Sequence, residues 1–476
     1  MQKSRVRRVG ALLVGLSLVA ASCGDDDDDD DDAVATETVA PATEAPDDTD
    51  EPEVTEPEVT EPEATEPEVT EPDEPETTEP MEDETVEAAP SCTGEADGTL
   101  YIATVLPQTG NLAFLGPPEF AGAQLAVNEI NEAGGVLGND VILDQGDSGD
   151  TSTDIANQTV DRQLAAGADA FGGAASSGSS FTFIDKLVEN CKIHFSPANT
   201  SPDFTDYADD DLYFRTAPSD VLQGRVLADL MIGEGVTTAA FMALQDPYGE
   251  GLLAYSSLSF EDQGGEVVES FTYDPQAPTF EAEVDRIVSA NPEALVLIGF
   301  EESSQILQTL FEAGFTADAK QIYLVDGNIG NALGQQLPTG SLVGVRGTLP
   351  AAEIETDFRE RLLEVDPELI DYSYGPETYD AVIIIALATA IAGTDDPAAI
   401  AAKINGVTRD GTKCTTFAEC MELIEAGENI DYDGPSGPQT FSPAGEPTEA
   451  NFTILGYDEN NRVDGDVAPE YQFAQI

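Results

Sequence analysis

Three short segments carry hydroxyl, amide or carboxylate groups directly after apolar runs. They are Ser176-Ser177-Gly178, Ala198-Asn199-Thr200 and Asp326-Gly327. Serine and threonine hydroxyls donate and accept hydrogen bonds, whereas an aspartate carboxylate attracts a positively charged group. Further polar segments follow other apolar runs, at 108–110, 246–248 and 301–302. Together these groups suit the binding of a small polar molecule by hydrogen bonds and charge pairing.

The sequence lacks part of the set of catalytic residues that a hydrolase needs. His194 is the single histidine, and it lies in an apolar run beside Phe195, which favours a structural role. Segment 173–178 resembles the Gly-x-Ser-x-Gly turn of a catalytic serine, but Ala174 replaces the first glycine. The sequence has no phosphate-binding loop, nicotinamide fingerprint or His-Glu-x-x-His motif. We therefore expect a non-enzymatic protein without cofactor or metal, with a serine hydrolase as an alternative.

From Thr99 onward, apolar runs alternate with segments of helical periodicity. Strands are predicted at 100–106, 141–143, 170–175, 193–195, 239–244, 294–300 and 321–325. Helices are predicted at about 120–134, 156–164, 181–188, 248–263, 279–290, 303–313 and 379–391. This alternation is typical of α/β folds with doubly wound parallel sheets, and the strands are too many for one small sheet. We predict two similar lobes, with ligand beyond the carboxyl ends of the strands, where the polar segments lie.

The N-terminal 23 residues predict an export signal. Basic residues precede an uncharged stretch from Val9 to Ser22, which is shorter than the roughly 20 residues of a membrane-spanning helix. The stretch ends at Cys23 after small residues, as in the lipobox of bacterial lipoproteins. We predict that Cys23 is acylated and anchors the protein to the cell membrane, with an ordinary cleaved signal peptide as the alternative.

Residues 24–96 predict a disordered acidic tether. They contain the run Asp25–Asp32 and an irregular Thr-Glu-Pro-Glu-Val repeat between Thr49 and Pro80. Proline removes backbone donors, glutamates repel one another, and little apolar surface is available to offset chain entropy. The whole chain has a formal net charge of −76, and much of that excess lies outside the tether. This charge argues against nucleic acid and against an anionic membrane surface as partners.

Four cysteines follow the predicted lipidation site: Cys92, Cys191, Cys414 and Cys420. Three disulfide pairings are open to them. Because Cys414 and Cys420 are six residues apart, a local bridge between them is the economical choice, and it pairs Cys92 with Cys191. The single histidine and the absence of closely spaced cysteine pairs disfavour a zinc site.

From about Gly98 to the C-terminus, the chain resembles the leucine/isoleucine/valine-binding protein family, the type I periplasmic solute-binding proteins of ABC importers. The matching segments, in order, are Gly110–Gly116, Glu119–Ala123, Asn128–Gly138, Ser196–Thr200 with Pro202, Tyr248–Gly251, Tyr379–Val382 and Gly434–Pro438. The resemblance implies a solute-binding domain over 97–476 with two lobes joined by a three-crossover hinge. Lobe 1 would hold about 99–216 and 349–440, and lobe 2 about 217–348 and 441–476.

The resemblance also implies a ligand site between the lobes. Ser177 and Thr200 align with residues that hold an amino-acid carboxylate, Asp326 with the acid that holds the ammonium, and Tyr248 with an aromatic wall. The other implied contacts are Ser176, Ala198, Gly327, Leu115, Phe300 and Glu301. Leucine-binding members have an aromatic residue where this chain has Leu115, and a tyrosine near Phe300 or Glu301.

Two of these residues keep an alternative interpretation. Ser177 lies where a helix is expected to begin, so it is either a ligand contact or a plain helix cap, since both use the same geometry. Glu301 either faces the cleft or only begins the following helix. The resemblance implies an extracytoplasmic protein that presents an amino acid or amide-like ligand to an ABC permease. A ligand sensor of the same fold for a membrane receptor is the alternative.

Overall fold

The structure, a computed structural model, describes residues 89–475. The predicted signal peptide 1–23 with Cys23, and residues 24–88 of the predicted tether, lie outside the described residues. Residues 89–96 were also assigned to the tether, but they lie against the folded body. Cys92 is bonded to Cys191, and the Gly94 amide donates to Asp396 Oδ1 at 2.9 Å. Because these contacts hold the segment, the folded body begins before the predicted boundary at 97.

Fourteen strands occur among the described residues. In chain order they are β1 Tyr101–Leu106, β2 Ile142–Asp147, β3 Ala170–Gly173, β4 Ile193–Ser196, β5 Tyr213–Arg215, β6 Thr238–Leu244, β7 Glu266–Tyr273, β8 Ala294–Ile298, β9 Gln321–Leu324, β10 Arg346–Pro350, β11 Thr412–Cys414, β12 Ile430–Tyr432, β13 Glu449–Gly456 and β14 Glu470–Gln475. A five-stranded sheet has the order β2-β1-β3-β4-β5, and a seven-stranded sheet has the order β14-β13-β10-β9-β8-β6-β7. The remaining pair, β11 and β12, forms a small parallel ribbon.

The described helices surround these sheets. They are α1 Gly116–Glu132, α2 Ile155–Ala166, α3 Ser177–Phe181, α4 Ile184–Glu189, α5 Asp220–Gly233, α6 Pro247–Asp262, α7 Glu281–Ala290, α8 Ser303–Glu312, α9 Asn331–Gln336, α10 Thr356–Val365, α11 Gly375–Ala392, α12 Pro397–Val407 and α13 Phe417–Glu425. Among them, α11 alone is long and apolar enough to span a bilayer, but 83% of it is buried inside the protein. It is therefore the core helix beside the five-stranded sheet, where it packs on α1 and α12.

The predicted pair of α/β lobes is confirmed. The first lobe contains β1–β5, and every strand pair in its sheet is parallel. In the second lobe, β6–β10 are parallel, whereas β13 and β14 add an antiparallel edge. That edge was not predicted, because its strands follow the last β-α unit, and β14 exposes the aromatic residues Tyr471 and Phe473 instead of showing a buried apolar run.

The chain passes between the lobes three times. It leaves the first lobe between β5 and α5, returns between β10 and α10, and leaves again between β12 and β13. Each sheet has its own large apolar cluster. However, Leu112, Leu115, Ala175 and Ala198 of the first lobe belong to the second lobe's cluster, which shows that the lobes are packed together at their facing edges.

Two local departures from the prediction have clear causes. The helix expected at 181–188 is two short helices, α3 and α4, and α3 begins at Ser177 because the Ser176 side chain accepts from the Ser179 amide. Helix α5 was missed because it is buried on most sides and therefore lacks a polar face.

The cysteines are paired in the economical arrangement, with Cα–Cα distances of 5.9 Å for Cys92–Cys191 and 5.3 Å for Cys414–Cys420.

Candidate functional site

The carboxyl ends of strands from both sheets face one another across a small cavity of about 10 Å³. This is room for one water molecule at most. Eight of the ten predicted ligand contacts line it: Leu115, Ser176, Ser177, Ala198, Tyr248, Phe300, Asp326 and Gly327. Three unpredicted residues, Leu112, Ala175 and Tyr374, complete the wall. We call this space the cleft cavity.

The two serines at the start of α3 have different roles. Ser176 is the helix cap, since its hydroxyl accepts from the Ser179 amide at 3.2 Å. Ser177 is the first helical residue, is buried, and accepts through Oγ from the Ser201 amide at 3.3 Å. The cap interpretation therefore applies to Ser176 and not to Ser177. Ser177 lies on the cavity wall and links α3 to the loop after β4.

Thr200 is close to this group but does not line the cleft cavity. It is buried, and Oγ1 has no hydrogen-bond partner in normal geometry among residues 89–475. Its loop is fixed by Arg215, whose guanidinium donates to the carbonyl oxygens of Asn199 (3.1 Å) and Ser201 (2.8 Å). Arg215 is fully buried and pairs with Glu446 in the third crossover. The position of Thr200 therefore depends on a buried ion pair between the first sheet and the hinge.

Asp326 is the centre of a buried hydrogen-bond network that joins both lobes. Its Oδ1 accepts from the Tyr248 hydroxyl and from Gln223 Nε2, each at 2.8 Å, and its Oδ2 accepts from the Tyr374 hydroxyl at 2.7 Å. Tyr374 belongs to the first lobe, directly before α11, and the other two donors belong to the second lobe. Burial raises the pKa of Asp326, and the three donors offset only part of that rise.

A second carboxyl, Asp220, was missed in the sequence. It begins α5, is fully buried, and neither of its carboxyl oxygens has a hydrogen-bond partner of normal geometry within the described chain. Its pKa is raised well above the ordinary value, first by burial and then by the charge of Asp326, and the neighbouring Thr200 offsets part of this. The available signal was Ser219-Asp220, a capping residue followed by an acid, which is typical of a helix start.

Aromatic and apolar groups shape the rest of the wall. Tyr248 and Phe300 stack with ring centroids 5.5 Å apart and planes 7° from parallel. Gly327 lies against them, and an added Cβ there would be 2.7 Å from the Gly299 carbonyl oxygen and 3.0 Å from Phe300 Cδ1. Leu115 from the first lobe is buried on the cavity wall. The cavity thus has one polar side and one apolar side.

The structure places Glu301 differently from the other predicted contacts. Its side chain is exposed and accepts from Gln336 Nε2 at 3.3 Å, and it does not line the cleft cavity. Only its backbone reaches the other lobe, where its amide donates to the Asn111 carbonyl oxygen at 3.2 Å. The interpretation in which Glu301 lies at the start of α8 therefore fits the structure better.

His194 is buried in β4, and its ring contacts Phe183 and Tyr213.

The sequence of this chain is similar to those of known binding proteins. The family model described as "Periplasmic binding protein" matches residues 99–461. A leucine-, isoleucine-, valine-, threonine- and alanine-binding protein of Pseudomonas aeruginosa is 27% identical over 75% of this chain and 90% of its own length. A substrate-binding protein of a chemotactic signal transduction system, BasB of Halobacterium salinarum, is 23% identical over 73% of this chain and 84% of its own length.

Solved structures share the fold. The branched-chain amino acid transporter substrate-binding protein LivJ of Streptococcus pneumoniae, in complex with isoleucine, has a TM-score of 0.65 and 20% identity. The match covers 79% of this chain and 99% of that one. A solute-binding protein of an ABC transporter from R. palustris, in complex with benzoate, has a TM-score of 0.62 and 17% identity, with 79% and 96% covered.

Proposed function

Because this chain belongs to the periplasmic binding protein family, we propose that it is the extracytoplasmic substrate-binding component of an ABC uptake system. We propose a small aliphatic amino acid as its ligand. The carrying observation is Asp326, a buried carboxyl that accepts three hydrogen bonds from neutral donors at the junction of the two lobes.

The cleft cavity has groups that suit each end of an amino acid. Asp326 would pair with the ammonium, because an ionised carboxylate in a buried site is stabilised by an opposite charge. Ser177 on the cavity wall would donate to the carboxylate, and Thr200, which is buried close to that wall, would donate to it once a ligand has widened the cavity. Leu112, Leu115 and Phe300 supply apolar surface for a short aliphatic side chain. The benzoate-bound neighbour makes aromatic acids the main competing class, and they lack the ammonium that Asp326 would bind.

Ligand entry would require the lobes to separate, since the cleft cavity measures about 10 Å³ in this arrangement. The three crossovers allow a hinge motion of this kind. A ligand that bridges both lobes would favour the closed form in proportion to its extra contacts there. The permease would then recognise the closed form.

Ligand titration of purified protein tests this proposal. We expect alanine, valine, leucine or isoleucine to raise the melting temperature and to give a measurable dissociation constant by calorimetry. Asp326→Asn should weaken binding by at least about 30-fold, because it removes the charge and keeps the shape. Asp318→Asn, an exposed acid of the same lobe, is the matched control and should bind normally. Binding of benzoate instead of amino acids, or normal affinity of the Asp326 variant, would contradict the proposal.

A second candidate function is sensing, and the chemotactic relative favours it. In that case the closed protein would contact a membrane receptor and not a permease. Deleting the gene should then abolish attraction toward the ligand while leaving uptake of the radiolabelled compound intact. Loss of uptake without loss of chemotaxis would assign the protein to transport.

We also propose that Cys23 carries the lipid anchor and that residues 24–88 act as a tether. The support is the sequence pattern, with small residues before the cysteine and a charged, proline-rich segment after it. Replacement Cys23→Ala should release the processed protein from the membrane fraction. Ser22→Ala keeps the cysteine and should remain membrane-bound. Membrane retention of the Cys23 variant would mean that no acyl anchor forms there.

A further inference from the structure

A larger cavity lies between the lobes beside the cleft cavity, with a volume of about 610 Å³. The first lobe contributes residues of α10 and α11, and the second lobe contributes β10, β13 and the loop before β14. Tyr374 lines both cavities and separates them, since its hydroxyl is bonded to Asp326. We call this larger space the side chamber. Its size suits a small organic molecule.

Glu377 lies on the chamber wall in the first turn of α11. It is 3% exposed, and its Oε2 is buried without a hydrogen-bond partner among the described residues. Burial raises its pKa to about 8. A buried carboxyl without a donor is costly unless a partner of positive charge or a proton neutralises it.

A second buried carboxyl lies close to Glu377. Glu119 of α1 is fully buried, and both of its carboxyl oxygens also lack partners within residues 89–475. Burial, followed by the charge of Glu377, raises the pKa of Glu119 well above its ordinary value. The cleft site uses neither residue. Because this raised pKa favours the protonated, neutral form of Glu119, Glu377 is the acid of the pair that would carry the charge opposite a cation.

The rest of the chamber also favours a cation with an apolar body. Its other acidic wall residues are Glu353, Asp371, Asp464 and Asp466, against one basic residue, Arg359. The Arg359 guanidinium already lies over the Tyr372 ring, 4.6 Å from its centroid, so this ring faces positive charge. Apolar side chains, including Ile354, Leu455 and Val467, supply the remaining surface.

We propose that the side chamber is a second ligand site, which binds a primary amine carrying an aliphatic or aromatic body, with Glu377 as the counter-charge. Because both lobes form its walls, the amine would favour the arrangement in which the lobes are packed together. This site is independent of the ligand proposed for the cleft cavity.

Calorimetric titration of the full chain with butylamine, cyclohexylamine and 2-phenylethylamine tests the site. A pH of about 8.5 keeps the amines charged and allows Glu377 to ionise. We expect at least one amine to bind with a dissociation constant below about 1 mM. Glu377→Gln should weaken that binding at least tenfold while folding normally, since the amide keeps the shape of the neutral acid. Val467→Arg, at the exposed mouth, should block binding without altering a buried group.

Two control variants distinguish amine binding in the side chamber from amine binding in the cleft cavity and from anion binding. Ser177→Ala alters the cleft cavity alone and should leave amine binding unchanged, and Arg359→Ala should preserve or strengthen it. The proposal is overturned if none of the three amines binds, or if Glu377→Gln and Val467→Arg both bind like the wild type. Loss of binding in Arg359→Ala would show that the chamber prefers an anion, and loss in Ser177→Ala would place the amine in the cleft.

Discussion

The two halves of the cleft differ in charge and in how they are supported. The first-lobe half presents hydroxyls, from Ser177 and the Thr200 loop, and the buried Arg215 holds that loop to the hinge. The second-lobe half presents two buried carboxyls, Asp220 and Asp326, and the half-buried Asp246 caps α6 nearby; burial raises the pKa values of all three. The first half is therefore neutral and fixed by a satisfied ion pair, whereas the second half holds unfavourable charge that a cationic group would relieve.

In a two-lobed binding protein, this difference in buried charge affects how stable each half of the cleft is before the ligand binds. In the hydroxyl-bearing half, the loop that carries Thr200 is already held by the Arg215 hydrogen bonds, so its backbone geometry is set before ligand arrives. A half with several buried acids loses folding free energy at neutral pH, because burial disfavours the charged form. Binding of an ammonium group would recover part of that free energy. The contrast predicts which half resists mutation and which half responds to pH.

The largest effect should come from breaking the support of the first half. Replacing Arg215 by Met leaves Glu446 buried without its partner, so we expect a loss of about 3–5 kcal/mol in the free energy of unfolding. Urea denaturation measures it. The double replacement Arg215→Met with Glu446→Leu removes both charges and should regain much of the loss. Equal destabilisation by the single and double variants would show that the ion pair is not what holds the loop.

The second half should respond to pH. Burial raises the pKa of Asp246 to about 7, and those of Asp220 and Asp326 are also raised. The native state then binds more protons than the unfolded chain above about pH 4, so stability should fall as pH rises from about 4 to about 7. Each unit of raised pKa contributes about 1.4 kcal/mol to this fall.

Melting temperatures across that range check the sign, and Asp246→Asn should flatten the fall. Ser177→Ala changes the neutral half and should leave the slope as in the wild type. A slope that is unaffected by Asp246→Asn would contradict the assignment of a raised pKa to this carboxyl of the second half.

The smallest effect concerns the apolar wall of the second half. An added methyl group at Gly327 would meet the Gly299 carbonyl oxygen at 2.7 Å, so Gly327→Ala should destabilise by about 1–3 kcal/mol. Gly233, at the end of α5, has nothing within 4 Å of an added Cβ. Gly233→Ala is the matched control and should stabilise by about 0.4–1 kcal/mol. If both replacements were neutral, the close packing around Gly327 would have no energetic importance.

Sequence patterns were sufficient for the seven predicted strands, which correspond to β1–β4, β6, β8 and β9, whereas β5, β7, β10 and β11–β14 were not predicted. Buried strands such as β1 and β8 are continuous apolar runs. A short run of this kind is typical of a central strand in a parallel sheet, because both faces of such a strand are buried. The loops after β3, β4 and β9 follow from the same rule, because ligand groups collect at the carboxyl ends of such strands. For this reason the sequence alone identifies Ser177 and Asp326 as candidate ligand contacts.

Three site residues could not be selected in this way. Gln223 and Asp220 lie in α5, whose burial on most sides removes the periodic polar face that identifies a surface helix. Tyr374 precedes α11 by one residue, and its role arises only because its hydroxyl meets Asp326 from the opposite lobe. A contact between residues 48 positions apart in different lobes leaves no local pattern.

The amino-acid sequence by itself determined the class of fold, seven of the strands and the loops from which a site could be built, because these depend on local periodicity and on turn residues. Only the tertiary structure decided which side chains meet. It placed Glu301 at the surface, gave the cap of α3 to Ser176, and brought Asp326 to donors from both lobes. These outcomes depend on how two separately folded sheets approach each other, and that approach is set by packing between distant residues.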